Sequence, residues 1–155
     1  MCIRDSYPSD ELFRLPESTY SVVTMWHVLE HVHQLDEYIT QIKAILAPQG
    51  KLIVAVPNFT SKDAEIYGAQ WASYDVPRHL YHFSPQSMRT LMQRHGLKVI
   101  DTKRMWLDSF YIAMLSEKYK GGNLVKAIWN GFRSNLNALV HKEQCSSLVY
   151  IIEKV

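Results

Sequence analysis

The chain has 155 residues, of which 47% are hydrophobic, and 17 basic against 15 acidic side chains give a net charge of +2. That length suits about one domain with ample core; the balanced charge forms no basic stripe to track a phosphate backbone, so a nucleic-acid partner is not expected. Cys2 and Cys145 lack CxxC spacing, which argues against a disulfide framework or zinc knuckle, and without an apolar run of about 18 residues or an apolar signal core the expectation is no membrane insertion and a reducing cytoplasm.

Met1 to Tyr7 (MCIRDSY) carries no pattern of its own and is set aside as a non-native leader, leaving 8–155 as a single domain. Tyr20 to Met25 holds Val22, Val23 and Thr24 in a short run, the look of a strand covered on both faces. Composition then turns polar at Trp26, His27, Glu30, His31 and His33. From Asp36, an expected N-cap, Tyr38, Ile39, Ile42, Ile45 and Leu46 recur at helical spacing until Pro48 and Gly50 stop them. Lys51 to Val56 (KLIVAV) is again strand-like. Strand, helix and strand of these lengths predict a parallel pair with a right-handed crossover. Ligands of such sheets bind beyond the carboxyl ends of the strands, here Trp26 to His33 and Pro57 to Thr60.

Phe59 to Tyr74 reads as a polar connection, long enough to be a lid. Asp75 to Ser84 (DVPRHLYHFS) gathers Asp75, Arg78, His79, Tyr81 and His82. Arg78 and Asp75 could pair to anchor this segment, or Arg78 could hold an acidic substrate group. Ser84 followed by Pro85 predicts a helix start, with Met88, Leu91 and Met92 facing inward and Gly96 ending the helix. A strand over Leu97 to Met105, helices over Asp108 to Tyr119 and Asn123 to Val140 hinged at Gly121 and Gly122, and a strand from Ser147 to Ile152 complete the expectation.

His27 to His31 (HVLEH) spells HxxEH, the pattern of a metal-dependent hydrolase in which two histidines hold zinc and the glutamate is the base. That chemistry needs the pentad inside a long helix, whereas here it follows a strand. His27, Glu30 and His31 could hold a softer ion. The preferred reading is a brace in which Glu30 and His31 bond each other and the backbone, so no metal ligand is assigned.

VVTMWHVLEHV, the helix ending in APQG and the strand KLIVAVPN resemble the fourth strand, following helix and fifth strand of class I S-adenosylmethionine-dependent methyltransferases. DVPRHLYHFSPQSMRTLMQRHGLKV is similar to the segment after the fifth strand in one bacterial small-molecule subgroup. The resemblance covers roughly residues 10 to 105. It implies an α/β fold: the C-terminal portion of a Rossmann-like sheet, with parallel strands plus a terminal antiparallel strand and helices on both faces. S-adenosylmethionine is the implied cofactor, with Asp10, Trp26 and His27 at its site, Asp10 near the adenine. Some quinone-pathway members carry ExxEH at this turn and bind a divalent cation there, whereas His27 stands here in place of the first acid. His27, His79 and His82 are the candidates to take a proton from an oxygen or nitrogen acceptor. No NPPY-like signature follows the fourth strand, which leans toward a small-molecule acceptor.

The six glycines form no GxG, so the glycine-rich cofactor turn of the family is missing. The chain is therefore read as a distal half, inactive alone, with one strand edge bare. A metal-dependent hydrolase and a non-catalytic partner-binding remnant remain the alternatives, and the oligomeric state is not legible.

Overall fold

The computed structural model describes residues 8–155; the leader assigned to Met1–Tyr7 lies outside the described residues. In chain order the elements are β1 (Tyr20–Trp26), α1 (Leu35–Ile45), β2 (Leu46–Pro57), α2 (Lys62–Tyr67), α3 (Pro85–Arg94), β3 (Leu97–Arg104), α4 (Asp108–Lys120), α5 (Leu124–Val140) and β4 (Ser147–Lys154), with short 3-10 turns between some of them. The sheet order is β1-β2-β4-β3. β1 and β2 are parallel, with Met25 opposite Val54, and β4 runs antiparallel to both β2 and β3. The βαβ unit and the antiparallel closing strand are those the sequence predicts.

Leu52, Val54 and Val56 alternate along β2 and meet Leu148, Tyr150 and Ile152 of β4 and the inward faces of α1 and α3 in one core cluster. Period-2 alternation places these side chains on one side of the sheet. Ile53, Val149 and Ile151, on the other side, are half-buried. Pro48 and Gly50 do stop α1, but within an irregular start of β2. Tyr20 pairs with Leu46 and Val22 with Lys51, so the extra residues bulge out. A β-carbon on Gly50 would stand 2.8 Å from the Tyr20 carbonyl oxygen.

Three local expectations change. Asp36 is not the cap of α1, which begins after Gln34; its carboxylate instead faces His95 Nε2 at 2.8 Å. The polar connection after Asn58 contains α2, capped by Ser61, whose side chain accepts from the Ala64 N–H. β1 is not covered on both faces: Met25 is buried, while Val22 and Trp26 are each 52% exposed. β1 pairs only with β2, and its outer edge has no strand among the described residues. α3 follows its prediction closely. Ser84 accepts from the Ser87 N–H and the Ser87 hydroxyl accepts from the Ser84 N–H, a capping box with Pro85 in the first turn.

Buried polar bonds join α2 to the later chain. Asp63 is fully buried, and its carboxylate accepts from Trp71 Nε1 at 2.7 Å, Ser134 Oγ at 2.7 Å and Ser146 Oγ at 2.6 Å. Trp71, expected in a loop, is thereby fixed in a second cluster with Tyr67, Ile112 and Ala127.

α5 turns its small side chains inward: Ala127, Gly131, Ser134 and Ala138 are buried. The large apolar residues of this helix, Leu124, Ile128, Trp129, Phe132, Leu136 and Leu139, are all exposed. The reason is the close approach of α4. A β-carbon at Gly131 would lie 3.1 Å from Phe110 Cα and 2.7 Å from its ring. Gly131→Val is therefore expected to destabilise the fold by about 1–3 kcal/mol through overpacking, measured by urea unfolding. A neutral or stabilising result would show that α4 and α5 separate freely.

Candidate functional site

β1 and β2 end side by side, so the segments that follow them meet at one rim of the sheet. His27 turns the chain out of β1 with φ at 52°, in the left-handed region that a β-carbon disfavours, while its N–H still donates to the Ala55 carbonyl at 2.9 Å. A short turn, Leu29–His31, then buries Leu29 and Glu30. The Glu30 carbonyl accepts from the main-chain N–H groups of Leu80 at 2.8 Å and Tyr81 at 3.3 Å, fastening the 75–82 segment to this corner. Arg78 donates to Asp75 Oδ1 from Nη2 at 2.6 Å and from Nε at 3.1 Å, so the anchoring pair of the two sequence readings is the one formed.

These segments and the start of α4 enclose a cleft of about 410 Å³. His27, Glu30, Asp75, Arg78, His79 and Asp108 supply its charged and polar wall, and Tyr111, Ile112, Leu115 and Tyr119 of α4 supply an aromatic and apolar one.

His27 sits between two acids, with Nδ1 3.3 Å from Glu30 Oε1 and Nε2 3.2 Å from Asp108 Oδ2. Hydrogen bonding to Asp108 and then to Glu30 outweighs burial and pushes the imidazole up to about 9. For Asp108, burial is the largest single influence and raises the carboxyl, yet the hydrogen bonds from His27 and Ser147 together with the His27 charge outweigh it and hold the group below its usual value. A ring donating from both nitrogens has no lone pair for an incoming proton. Both ring nitrogens of His27 thus face acids, and the side chain bridges the end of β1 to the start of α4.

His79 lines the cleft. Its Nδ1 donates to the Ser73 carbonyl at 2.8 Å, which leaves the lone pair on Nε2. His82 is bonded through Nε2 to the Tyr74 carbonyl at 3.0 Å and is not among the residues lining the cleft. Trp26 stands exposed at the end of β1, and Asp10 is exposed on the turn Ser9–Arg14. The structure thus gathers His27 and His79 and leaves Asp10, Trp26 and His82 outside the cleft lining. Sequence reasoning gave no site role to Asp108, Tyr111 or Tyr119, because no spacing ties the start of α4 to a turn so far upstream. The pentad His27–His31 lies in a strand-to-turn corner instead of a long helix, so the two-histidine helical face of a zinc peptidase is not formed.

Comparison with known proteins agrees with this architecture. A family model described as "Methyltransferase domain" matches residues 4–102. Ubiquinone biosynthesis O-methyltransferase of Maricaulis maris is 28% identical over 97 residues, which cover 59% of this chain and 38% of that protein. The Bartonella bacilliformis protein of the same name is 28% identical over 88 residues, covering 53% and 36% respectively. The matches thus span less than two fifths of the length of these curated relatives. Among solved structures, a putative sarcosine dimethylglycine methyltransferase from Galdieria sulphuraria superposes with a TM-score of 0.59 at 11% identity, over 95% of this chain and 57% of that one. A SAM-dependent methyltransferase from Archaeoglobus fulgidus superposes with a TM-score of 0.57 at 16% identity, over 94% of this chain and 64% of its own. At such identities these structures show the shared fold alone. With a family model covering most of its length and the βαβ rim in place, the chain belongs to the methyltransferase-domain family of class I enzymes, whose cofactor is S-adenosylmethionine.

Proposed function

We propose that this chain forms the acceptor-side half of an S-adenosylmethionine-dependent methyltransferase acting on an oxygen or nitrogen of a small molecule. The observation that carries the reading is the cleft at the carboxyl ends of β1 and β2, of a size ordinary for small-molecule sites. One wall is aromatic and apolar and the other charged, which suits a compact ring bearing a polar group. Two curated relatives are named as O-methyltransferases, so a phenolic or hydroxyl acceptor is the first class to test.

When bound, the cofactor supplies an electrophilic methyl group on a sulfonium. Trp26 fits the face of that group: it is exposed at the strand end, where an aromatic ring attracts a cation. Asp10 would accept the adenine amino hydrogen. The remaining work is alignment, because in-line attack on the methyl depends chiefly on proximity and orientation. The His27 bridge to Asp108 holds α4 against the end of β1, which sets the distance between the cleft walls. His79, with its lone pair on Nε2, takes the acceptor's proton.

The cofactor's glycine-rich strand and turn belong to a segment that this reading places outside residues 8–155. Calorimetric titration with S-adenosylmethionine, on this chain and on one extended at its N-terminus by a family glycine-rich strand and turn, tests it. Binding is expected in the extended chain and weak or absent in the shorter one. Absence of binding in both would overturn the proposal.

A further inference from the structure

We propose that α5 docks the protein on an anionic lipid surface, lying in the plane of the headgroups with its outward apolar stripe against them. The helix packs on α2 and α4, with Ala127, Gly131, Ser134 and Ala138 buried. Val125, Trp129, Phe132 and Leu136 repeat that spacing, shifted by two residues. Two residues are about 200° of helical turn, so the second set faces away from the first, and all four side chains are exposed. Val140 carries the stripe one turn further. The apolar line thus runs most of the 17-residue helix, about 25 Å long. A surface helix ordinarily turns such a stripe to the core, whereas here the inward face is kept small where Gly131 admits Phe110.

Charge identifies what covers the stripe. Lys118, Lys120, Lys126, Arg133 and Lys142 are five of the 17 basic side chains, and none of the 15 acidic ones lies between the first and last of them. The rest of the chain is therefore net acidic, and the cations are concentrated on this one hairpin. Lys126 and Arg133, seven residues apart, share a flank of the stripe. Lys118, Lys120, Lys126 and Arg133 are exposed and form no ion pair among the described residues. The acids at either end of the segment are taken up: Glu117 is buried and accepts from Asn130, and Glu143 pairs with Arg89.

A helix with Trp and Phe on its apolar side and Lys and Arg beside them is the kind that lies in a membrane interface, held by apolar burial and by attraction to anionic lipid. Long Lys and Arg stems reach past the apolar stripe to place their charges at the headgroups. No helix of the described residues is long and apolar enough to cross a membrane, so the contact is with the surface. A second copy is the poorer occupant. A twofold interface sets a patch against itself, which here would bring cations against cations with no acid between them.

Surface binding does not depend on the methyl-transfer reading. Its consequence for the cleft is positional: α5 packs on α4, whose Tyr111, Ile112, Leu115 and Tyr119 line the cleft, so the cleft is held one helix away from the lipid.

The test is flotation of the full chain with phosphatidylcholine vesicles, with and without phosphatidylglycerol. Binding is expected to the anionic vesicles, weaker to the neutral ones, and to fall as salt shortens the reach of the charges. Lys126→Gln with Arg133→Gln is expected to weaken binding by about 30-fold, the attraction typical of two such charges near an anionic surface. Trp129→Ser with Phe132→Ser is expected to weaken it by more than about 10-fold through lost apolar burial. Lys98→Gln, exposed on β3, is expected to bind as the parent does. Circular dichroism checks that each variant is folded, and all these side chains point to solvent. Absence of flotation, equal flotation on neutral vesicles, or undiminished flotation in the folded Trp129 and Phe132 variant would overturn the inference. So would self-association without flotation, seen by light scattering, which would assign the face to a second copy. Loss of flotation in the chain extended at its N-terminus would assign it to the added segment and would overturn the inference too. Cofactor titration of the extended chain reads the methyltransferase proposal separately.

Discussion

Replacing Asp63 with alanine is expected to lower the unfolding free energy by about 3 kcal/mol or more, the cost typical of removing one partner from a buried charged network. Three donors converge on this carboxylate: Trp71 Nε1, Ser134 Oγ and Ser146 Oγ. They come from the segment after α2, from α5 and from the lead into β4, and in the variant all three lose their acceptor in a site closed to water. The loss is therefore greater than that of one ordinary hydrogen bond. For a chain of this size it corresponds to a fall of about 6–12 °C in melting temperature. Asp63→Asn keeps the shape but turns an amide N–H₂ toward donors, so it is expected to destabilise as well. Urea unfolding of both variants measures the effect. A change below about 1 kcal/mol, the scale of a single exchanged hydrogen bond, would show that water or rearranged serines satisfy the network.

In a methyltransferase carrying this chain as its distal half, His79→Ala is expected to reduce kcat by about 10²–10⁴-fold, the range for a positioned acid–base group. His79 is the sequence-proposed histidine that both lines the cleft and keeps a lone pair, since the Ser73 carbonyl fixes its tautomer. Cofactor affinity is expected to hold, because Trp26 and Asp10 lie outside the cleft lining. The loss therefore falls on turnover while cofactor binding by calorimetry stays near that of the parent. His82→Ala removes a ring bonded to Tyr74 outside the cleft lining and is expected to cost much less. Equal losses in the two variants, or turnover in His79→Ala above about a tenth of the parent, would remove His79 from the chemistry.

Much of the architecture is legible in local pattern. The parallel pair β1 and β2, the capping box at Ser84 and the glycine hinge after α4 each depend on residues only a few positions apart. Gly121 adopts φ of 68° as a helix-ending glycine can, with the Gly122 N–H returning to the Glu117 carbonyl at 2.8 Å. α5 is the contrary case. Its spacing identified a helix correctly, but the usual assumption that large apolar residues face the core fails, because Gly131 must admit Phe110. α2 was overlooked because its sequence is polar; what holds it is the buried bond set of Asp63, formed with residues far along the chain.

The site divides in the same way. The sequence alone determined the order of strand, polar turn, helix and strand, and with it the rim where a ligand would sit, because strand and helix periodicities are local properties of side chains. Only the tertiary structure decided which polar groups on that rim touch. It joined His27 to Asp108 across the start of α4, and it brought His79 beside Glu30 and His31. Charge state and ligand geometry follow from distances between segments, and those distances are set by how the chain packs.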